Sequence, residues 1–329
     1  MKPITILPFL LLLSACQSNL TGNEGNLVFS YTADDALGDF NKPIGVGASL
    51  EIQVTTVGSR LPVNLSSVTS SDPEVLEVTG TATNHFVVHG LNPGTSLIEV
   101  EADSVDGTLT DSVNLLSAAP DVVKLYHSCE VPTVRTALYQ AGTNILIPFD
   151  LEKANGQPVI GYGLHPVEIT PAASGVLDET SLDQANLHVL LGETAGEVTV
   201  SSTIDDGTLN LNVVSAGAID GASFNPLSTD GTDVVVFEGE TRFAHVFPMV
   251  ADQRICQANV TMTAESKTPE LCKVSAVANL EETTAVNESL WVKIEAIAFG
   301  TCVFGVTFPE GADGAGAQVD LEVSVAKKP

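Results

Sequence analysis

Three times in this chain a glycine stands shortly before a run of alternating apolar and polar residues, and each time a second such unit follows within the same stretch of about 100 residues. The first glycines are Gly47, Gly142 and Gly239. They precede Leu50-Glu51-Ile52-Gln53-Val54, Ile145-Leu146-Ile147-Pro148-Phe149 and Phe243-Ala244-His245-Val246-Phe247. The second glycines are Gly94, Gly196 and Gly300, which open the runs Thr95 to Val100, Glu197 to Val200 and Thr301 to Val306. A hairpin signal then follows: Asp106-Gly107, Asp206-Gly207 and, in the same slot, Asp313-Gly314. Asp-Gly is expected to supply the positive φ of a tight hairpin. A last alternating strand closes each segment, as in Leu209 to Val213 and Val319 to Val323. Period 2 puts one face of each strand toward an apolar layer, so such strands require a second sheet to cover them. Helical periodicity is lacking over any length; only Thr133 to Gln140 reads as one or two helical turns. The chain is therefore expected to be all-β.

Two further signals tie the segments together. The first holds Ser71-Asp72-Pro73-Glu74-Val75-Leu76-Glu77-Val78, then Gly90-Leu91-Asn92-Pro93-Gly94-Thr95. The third holds Lys267-Thr268-Pro269-Glu270-Leu271-Cys272-Lys273-Val274, then Gly300-Thr301. This pairing resembles the bacterial immunoglobulin-like (group 2) domain of surface proteins. The second segment keeps only the glycine strand and the hairpin. The resemblance implies three tandem immunoglobulin-like β-sandwiches, at residues 26–118, 119–217 and 218–329. Turn signals every 8 to 12 residues suit such sandwiches. The joints Ser117-Ala118-Ala119-Pro120 and Ser215-Ala216-Gly217-Ala218 are short, which restricts domain swing. The motifs imply a fold and no activity.

The immunoglobulin-like resemblance also orders the cysteines. In that fold the third strand ends and the sixth begins at one pole, which brings Cys272, just after Pro269-Glu270, beside Cys302, just after Gly300. Cys129 follows the first strand of the second domain, read as Val122 to Tyr126. Cys256 precedes a strand read as Val260 to Thr263. Both are expected at the joint between domains two and three. The implied disulfides are Cys272–Cys302 within domain three and Cys129–Cys256 across the joint. An even set of four cysteines in an exported chain fits this, and the absence of Cys-x-x-Cys argues against a zinc ribbon or a thioredoxin-like site.

Export is read from the N-terminus. Lys2 is followed by a mostly apolar run from Ile4 to Leu13, then Ser14-Ala15-Cys16. This is the charged, apolar, small-residue layout of a secretory signal. The run is too short to cross a bilayer core of roughly 30 Å. Leu13-Ser14-Ala15-Cys16 resembles the lipobox of bacterial lipoproteins. The resemblance implies cleavage after residue 15, lipidation of Cys16, and attachment to the membrane through it. Several acyl chains make a stable anchor where one does not. Gln17 stands where an aspartate would retain an enteric-type lipoprotein at the inner membrane, which points to the outer membrane. Residues 16–25 read as a lipidated flexible tether.

Charge excludes some partners. Lys and Arg number 13 against 41 Asp and Glu, a net −28. Such a chain repels nucleic acid and anionic headgroups, so no nucleic-acid partner is expected. A hydrophobic content of 44% is ample for a core, so the acidity belongs to a folded surface.

Chemistry-bearing motifs are sparse. His85 and His89 share a strand face but stand about 13 Å apart, too far to share a metal. His165-Pro166-Val167-Glu168 has a helical ligand spacing on a segment that reads as loop or strand. His127 lies near Cys129 with no second nearby ligand. Asp34, Asp35 and Asp39, or Asp205 and Asp206, read as turn carboxylates with weak calcium binding as the alternative. Nucleophile elbows, phosphate loops and dinucleotide fingerprints do not occur. Trp291, the single tryptophan, reads as third-domain core rather than a ligand platform. No cofactor, metal or catalytic residue is expected. The leading reading is a non-catalytic, lipid-anchored envelope protein that displays its domains for adhesion or contact with other envelope or surface proteins. A structural spacer in an envelope assembly and a polysaccharide-related enzyme or accessory module stay open beside it.

Overall fold

The computed structural model describes residues 25–31, 42–104, 107–129, 137–226, 236–277, 290–308 and 316–328. Cys16, the tether up to residue 24, Asp34, Asp35, Asp39, Asp106 and Asp313-Gly314 lie outside them. Among the described residues the regular elements are β-strands, apart from the short 3₁₀ turns Ala172–Ser174 and Ala216–Ala218. The chain forms two compact units: Met1–Ala119 with Val159–Gly161, and Pro120–Pro158 with Tyr162–Pro329.

The first unit is an immunoglobulin-like sandwich of two four-stranded sheets. One runs in the order Leu27–Tyr31, Ser49–Thr56, His85–Gly90, Leu76–Thr81. The other runs Ile44–Gly45, Gly107–Ala118, Gly94–Ser104, Asn64–Ser70. Leu50, Ile52, Val54, Phe86 and Val88 of the first sheet and Ile98, Val100, Val113 and Leu115 of the second are buried, as alternation dictates.

A short parallel strand marks each sandwich. Ile44–Gly45 pairs with Ser117 and Ala118, Leu138–Gln140 with Asn212 to Val214, and Val236–Phe237 with Val325 and Ala326. The chain must then turn to reach the alternating strand that follows. Gly47, Gly142 and Gly239 make that turn at φ values of 91°, 71° and 81°, which glycine reaches without a Cβ clash. Their amides donate to the carbonyls of Gly90, Gly192 and Ala296.

The Pro-Glu signals also superimpose in their bonding. Val75 N and Leu76 N donate to Asp72 O; Leu271 N and Cys272 N donate to Thr268 O. Leu91 N returns to Val75 O, and Ile297 N to Leu271 O. Val75 and Leu271 occupy the space a Cβ would take at Gly94 and Gly300, 3.0 and 3.1 Å from it. The second segment holds a third version that its sequence concealed. Ser174 N donates to Pro171 O, and Gly192 N returns to Ser174 O. Pro171 thus holds the place of Asp72 and Thr268, and Ala172 that of Pro73 and Pro269, with Ser174 and Gly175 where the others carry Val75-Leu76 and Leu271-Cys272.

The second unit contains two sandwiches that share a sheet. Its longest sheet runs Val167–Thr170, Gly196–Ser202, Thr208–Val214, Leu138–Gln140, Gln253–Gln257, Thr241–Val250, Trp291–Ala296, Cys272–Val277, with Gly221–Pro226 also on Thr241–Val250. Leu138–Gln140 pairs parallel with both Thr208–Val214 and Gln253–Gln257. The segment read as helical therefore contains, among its described residues, the strand Leu138–Gln140 that joins two sandwiches. Strands Asn144–Glu152, Asn186–Leu191, Gly175–Leu177 and Val122–Leu125 belong to the opposing sheet of one sandwich, and Ala317–Ala326, Gly300–Phe308 and Thr263–Ser266 to that of the other.

Two further expectations are corrected. Gly207 does not take a positive φ; a Cβ there would stand 2.7 Å from Val123 O, so close approach of backbone requires the glycine. The hairpin is instead shaped by Ser202, whose hydroxyl accepts from Ile204 N and Asp205 N. Cys256 lies within the strand Gln253–Gln257, while Val260 and Met262 are buried before the strand Thr263–Ser266 begins.

Candidate functional site

The residues that most distinguish this fold from a string of beads lie where the two sandwiches of the second unit meet. Leu138, only 7% exposed, packs into the core of the third sandwich with Ile255, Val246 and Ile219, although it lies in the segment preceding the second sandwich's main strands. Tyr139, next along, is fully buried; its hydroxyl lies 3.1 Å from His127 Nδ1. Burial raises the Tyr139 phenol above its ordinary value and lowers the His127 imidazole below its own, so both are neutral near pH 7.

Two buried glutamines tie the backbones together. Gln140 Oε1 accepts from Asn259 N at 2.8 Å. Gln257 Oε1 accepts from Leu146 N at 2.9 Å, and its Nε2 donates to Leu146 O at 2.7 Å and to Ser128 Oγ. The Gln257 amide thus continues a strand ladder on the edge of Asn144–Glu152 away from Asn186–Leu191, beyond the reach of Val122–Leu125. Burial of so polar a group is tolerated because its donor and acceptor are both used. Cys129 and Cys256 form a disulfide beside it, with Cα atoms 5.5 Å apart. The junction therefore combines a shared strand, two amide bridges and a covalent bond, with a buried leucine from one side in the core of the other.

Cys272 and Cys302 form the second disulfide, Cα atoms 5.7 Å apart. Both separations lie in the ordinary range for such bonds. By the bonding correspondence above, Cys272 stands where the first sandwich has Leu76, and Cys302 where it has Ser96. Ser96 is buried and bridges the Ser70 and Ser71 hydroxyls and Asp72 N. The first sandwich fixes its turn by hydroxyl bonds alone, and the third adds a disulfide to the hydroxyl bonds of Ser266 and Thr268.

The remaining candidates are dispersed. His85 lies 3.6 Å from Glu51, and His89 Nδ1 3.0 Å from Ser49 Oγ, so each engages a different neighbour. His165 is in the loop before Val167–Thr170. Asp205 turns inward: Val123 N donates to Oδ2 at 3.4 Å, and hydrogen bonding to Ser202 holds its carboxyl below the usual range. Among the described residues, no group of three or more His, Cys, Asp or Glu is placed to hold a metal ion.

Trp291 is 7% exposed but is not part of the third-sandwich core. Its neighbours Val292 and Ile294 fill that core, so alternation turns the indole to the opposite face. There it stacks on the His245 ring, centroids 4.8 Å apart, with Phe247 on His245 and Arg254 over Phe247. Burial, and secondarily Arg254, lower the His245 pKa to about 4. The sequence signal was available in the alternation of Ser289 to Ile294 and was overridden by the usual preference of tryptophan for the interior.

No family model matches the chain, and no curated protein matches it. Among solved structures it is similar to the Escherichia coli adhesin FdeC, at 14% identity, over 93% of this chain and 98% of that one, TM-score 0.26. It is similar to invasin, a bacterial integrin-binding protein, at 14% identity, over 92% of this chain and 60% of that one, TM-score 0.24. It is also similar to an endo-fucoidan hydrolase of glycoside hydrolase family 107, at 14% identity, over 88% of this chain and 43% of that one, TM-score 0.24. These likenesses assign no function to this chain.

Proposed function

We propose that this chain is a non-catalytic, lipid-anchored protein of the bacterial cell envelope that works by protein contact, in adhesion or in attachment to other surface proteins. The Leu13-Ser14-Ala15-Cys16 sequence supports the anchor, and Gln17 supports the outer membrane. The matching Asp72-Pro73-Glu74 and Thr268-Pro269-Glu270 turns support the group 2 immunoglobulin-like resemblance. The observation that carries the reading is the junction of the second unit. Sandwich loops bind partners when a rigid scaffold holds them. Gln140, Gln257, the shared strand and Cys129–Cys256 fix two sandwiches as one scaffold. The same rigidity favours a second reading, a spacer within an envelope assembly.

Crosslinking of intact cells, followed by pull-down of the full chain, separates the two. A host or matrix protein supports adhesion; recovery of envelope proteins alone supports the spacer; recovery of no protein contradicts both. The anchor has its own test. Cys16→Ser is expected to move the chain from the membrane fraction to the soluble fraction, and retention on membranes after a high-salt wash contradicts it.

A further inference from the structure

The loop between Ser49–Thr56 and Asn64–Ser70 has a counterpart in the second sandwich. Thr56 N donates to Leu61 O at 2.9 Å, and Arg60 N to Thr56 O at 3.1 Å. In the counterpart, Lys153 N donates to Gln157 O at 2.8 Å, and Gly156 N to Lys153 O at 2.8 Å. Pro62-Val63 follows one loop and Pro158-Val159 the other. Arg60 thus occupies the position of Gly156, and Leu61 that of Gln157.

The position requires a left-handed backbone. Gly156 has φ 82°, and Arg60 has φ 51°. Glycine adopts this conformation freely; arginine adopts it at a cost. The flanking residues depart from folding needs in the same way. Val57 is 52% exposed and Leu61 61%, where the counterpart loop carries Ala154, Asn155 and Gln157. Thr56 braces the tip: its hydroxyl accepts from Leu61 N at 3.1 Å and bonds Ser59 Oγ at 2.7 Å. Arg60 makes no ion pair among the described residues. Lys42 and Arg60 are the Lys and Arg side chains among the described residues of this acidic unit. An exposed arginine on a backbone that disfavours it, in a loop that also exposes Val57 and Leu61, contributes nothing evident to the sandwich.

Arginine is enriched at protein interfaces, and its planar fork pairs with carboxylates in two parallel hydrogen bonds. Surrounding apolar contacts exclude water and strengthen such a bond. A polyanion such as nucleic acid or sulfated glycan fits poorly, because one arginine does not offset a net −28. We propose that the tip formed by Val57, Arg60 and Leu61 is a protein-contact site that takes a carboxylate set in an apolar patch of its partner. This deepens the protein-contact reading and rests on it.

The test uses the full chain in the cells that make it, with a photo-reactive phenylalanine at Ser59 or, as control, at Asn155. Protein adducts are expected from position 59, at least about fivefold above position 155, matching about 1 kcal/mol of contact preference. Arg60→Glu, and separately Val57→Ser with Leu61→Gln, are expected to remove that excess. Equal yields at the two positions, insensitivity to Arg60→Glu, or an adduct that is glycan rather than protein overturns the proposal. Arg60→Gly supplies the folding control: the thermal midpoint is expected to rise or to stay within about 2 °C, since the position already has glycine geometry. A larger fall shows that the arginine serves the fold, and overturns the proposal. If lysine-reactive crosslinking still captures a protein partner while position 59 gives nothing, this inference fails and the contact reading stands. If neither captures protein, both fail.

Discussion

Leu138→Ala should destabilise a sandwich to which the residue does not belong by sequence. Leu138 is 7% exposed and packs among the third-sandwich core residues Ile255, Val246 and Ile219. Truncating a buried leucine costs about 2–5 kcal/mol, and a three-residue strand with limited freedom to collapse suggests about 3 kcal/mol. With a urea slope of about 3 kcal/mol per molar, the midpoint should fall by about 1 M. Trp291, the single tryptophan, reports the third sandwich directly. Its fluorescence transition should therefore move by that amount in the full chain. Leu187→Ala provides the comparison, since Leu187 is fully buried in the second sandwich and absent from the third-sandwich core. If the two sandwiches unfold together, Leu187→Ala also shifts the Trp291 transition. The reasoning is refuted if Leu138→Ala leaves the Trp291 transition in place while circular dichroism shows a separate, weakened transition elsewhere.

Replacing Cys272 and Cys302 by Ser should cost roughly 3–4 kcal/mol in the chain-entropy account of a 30-residue separation; an unchanged Trp291 midpoint under urea would contradict this. His245 has a folded pKa of about 4 against an unfolded value near 6.5. The unfolded chain therefore takes up a proton first as pH falls, so the stability held above pH 6.5 should be lost progressively down to about pH 4. His245→Phe should flatten that portion of a stability-against-pH curve, and an unchanged slope would assign the loss to other groups. Gly207→Ala should lower the thermal midpoint by several degrees, because the added methyl meets Val123 O at 2.7 Å; a neutral result would show that the hairpin shifts freely.

Much of each sandwich was legible because alternation is a local signal. Leu50, Ile52 and Val54, or Cys302, Phe304 and Val306, announce their inward face through sequence alone. The repeated glycines were legible too, since a required positive φ leaves few alternatives. The second segment's Pro171 turn was hidden because Ser174 and Gly175 replace the bulky pair that makes the motif visible. The junction was less legible for a different reason. A strand as short as Leu138–Gln140 shows no period, and its two pairing partners, Thr208–Val214 and Gln253–Gln257, both lie far downstream in sequence. The Cys129–Cys256 pair was readable through the immunoglobulin-like resemblance, but nothing local distinguishes Gln257 from a solvated glutamine. Its role depends on Leu146 N and O arriving opposite it from a distant strand.

The central claim is that the second and third sandwiches form one cooperative body, independent of their covalent link. Hydrogen exchange of the full chain carrying Cys129→Ser and Cys256→Ser tests this most directly. The amides of Ile147 in the second sandwich and Val292 in the third report each core strand separately. The account predicts equal opening free energies for the two, within about 1 kcal/mol, falling together as urea is added. Opening of one strand at several kcal/mol below the other, with its own urea dependence, would show two domains joined like beads and contradict the account.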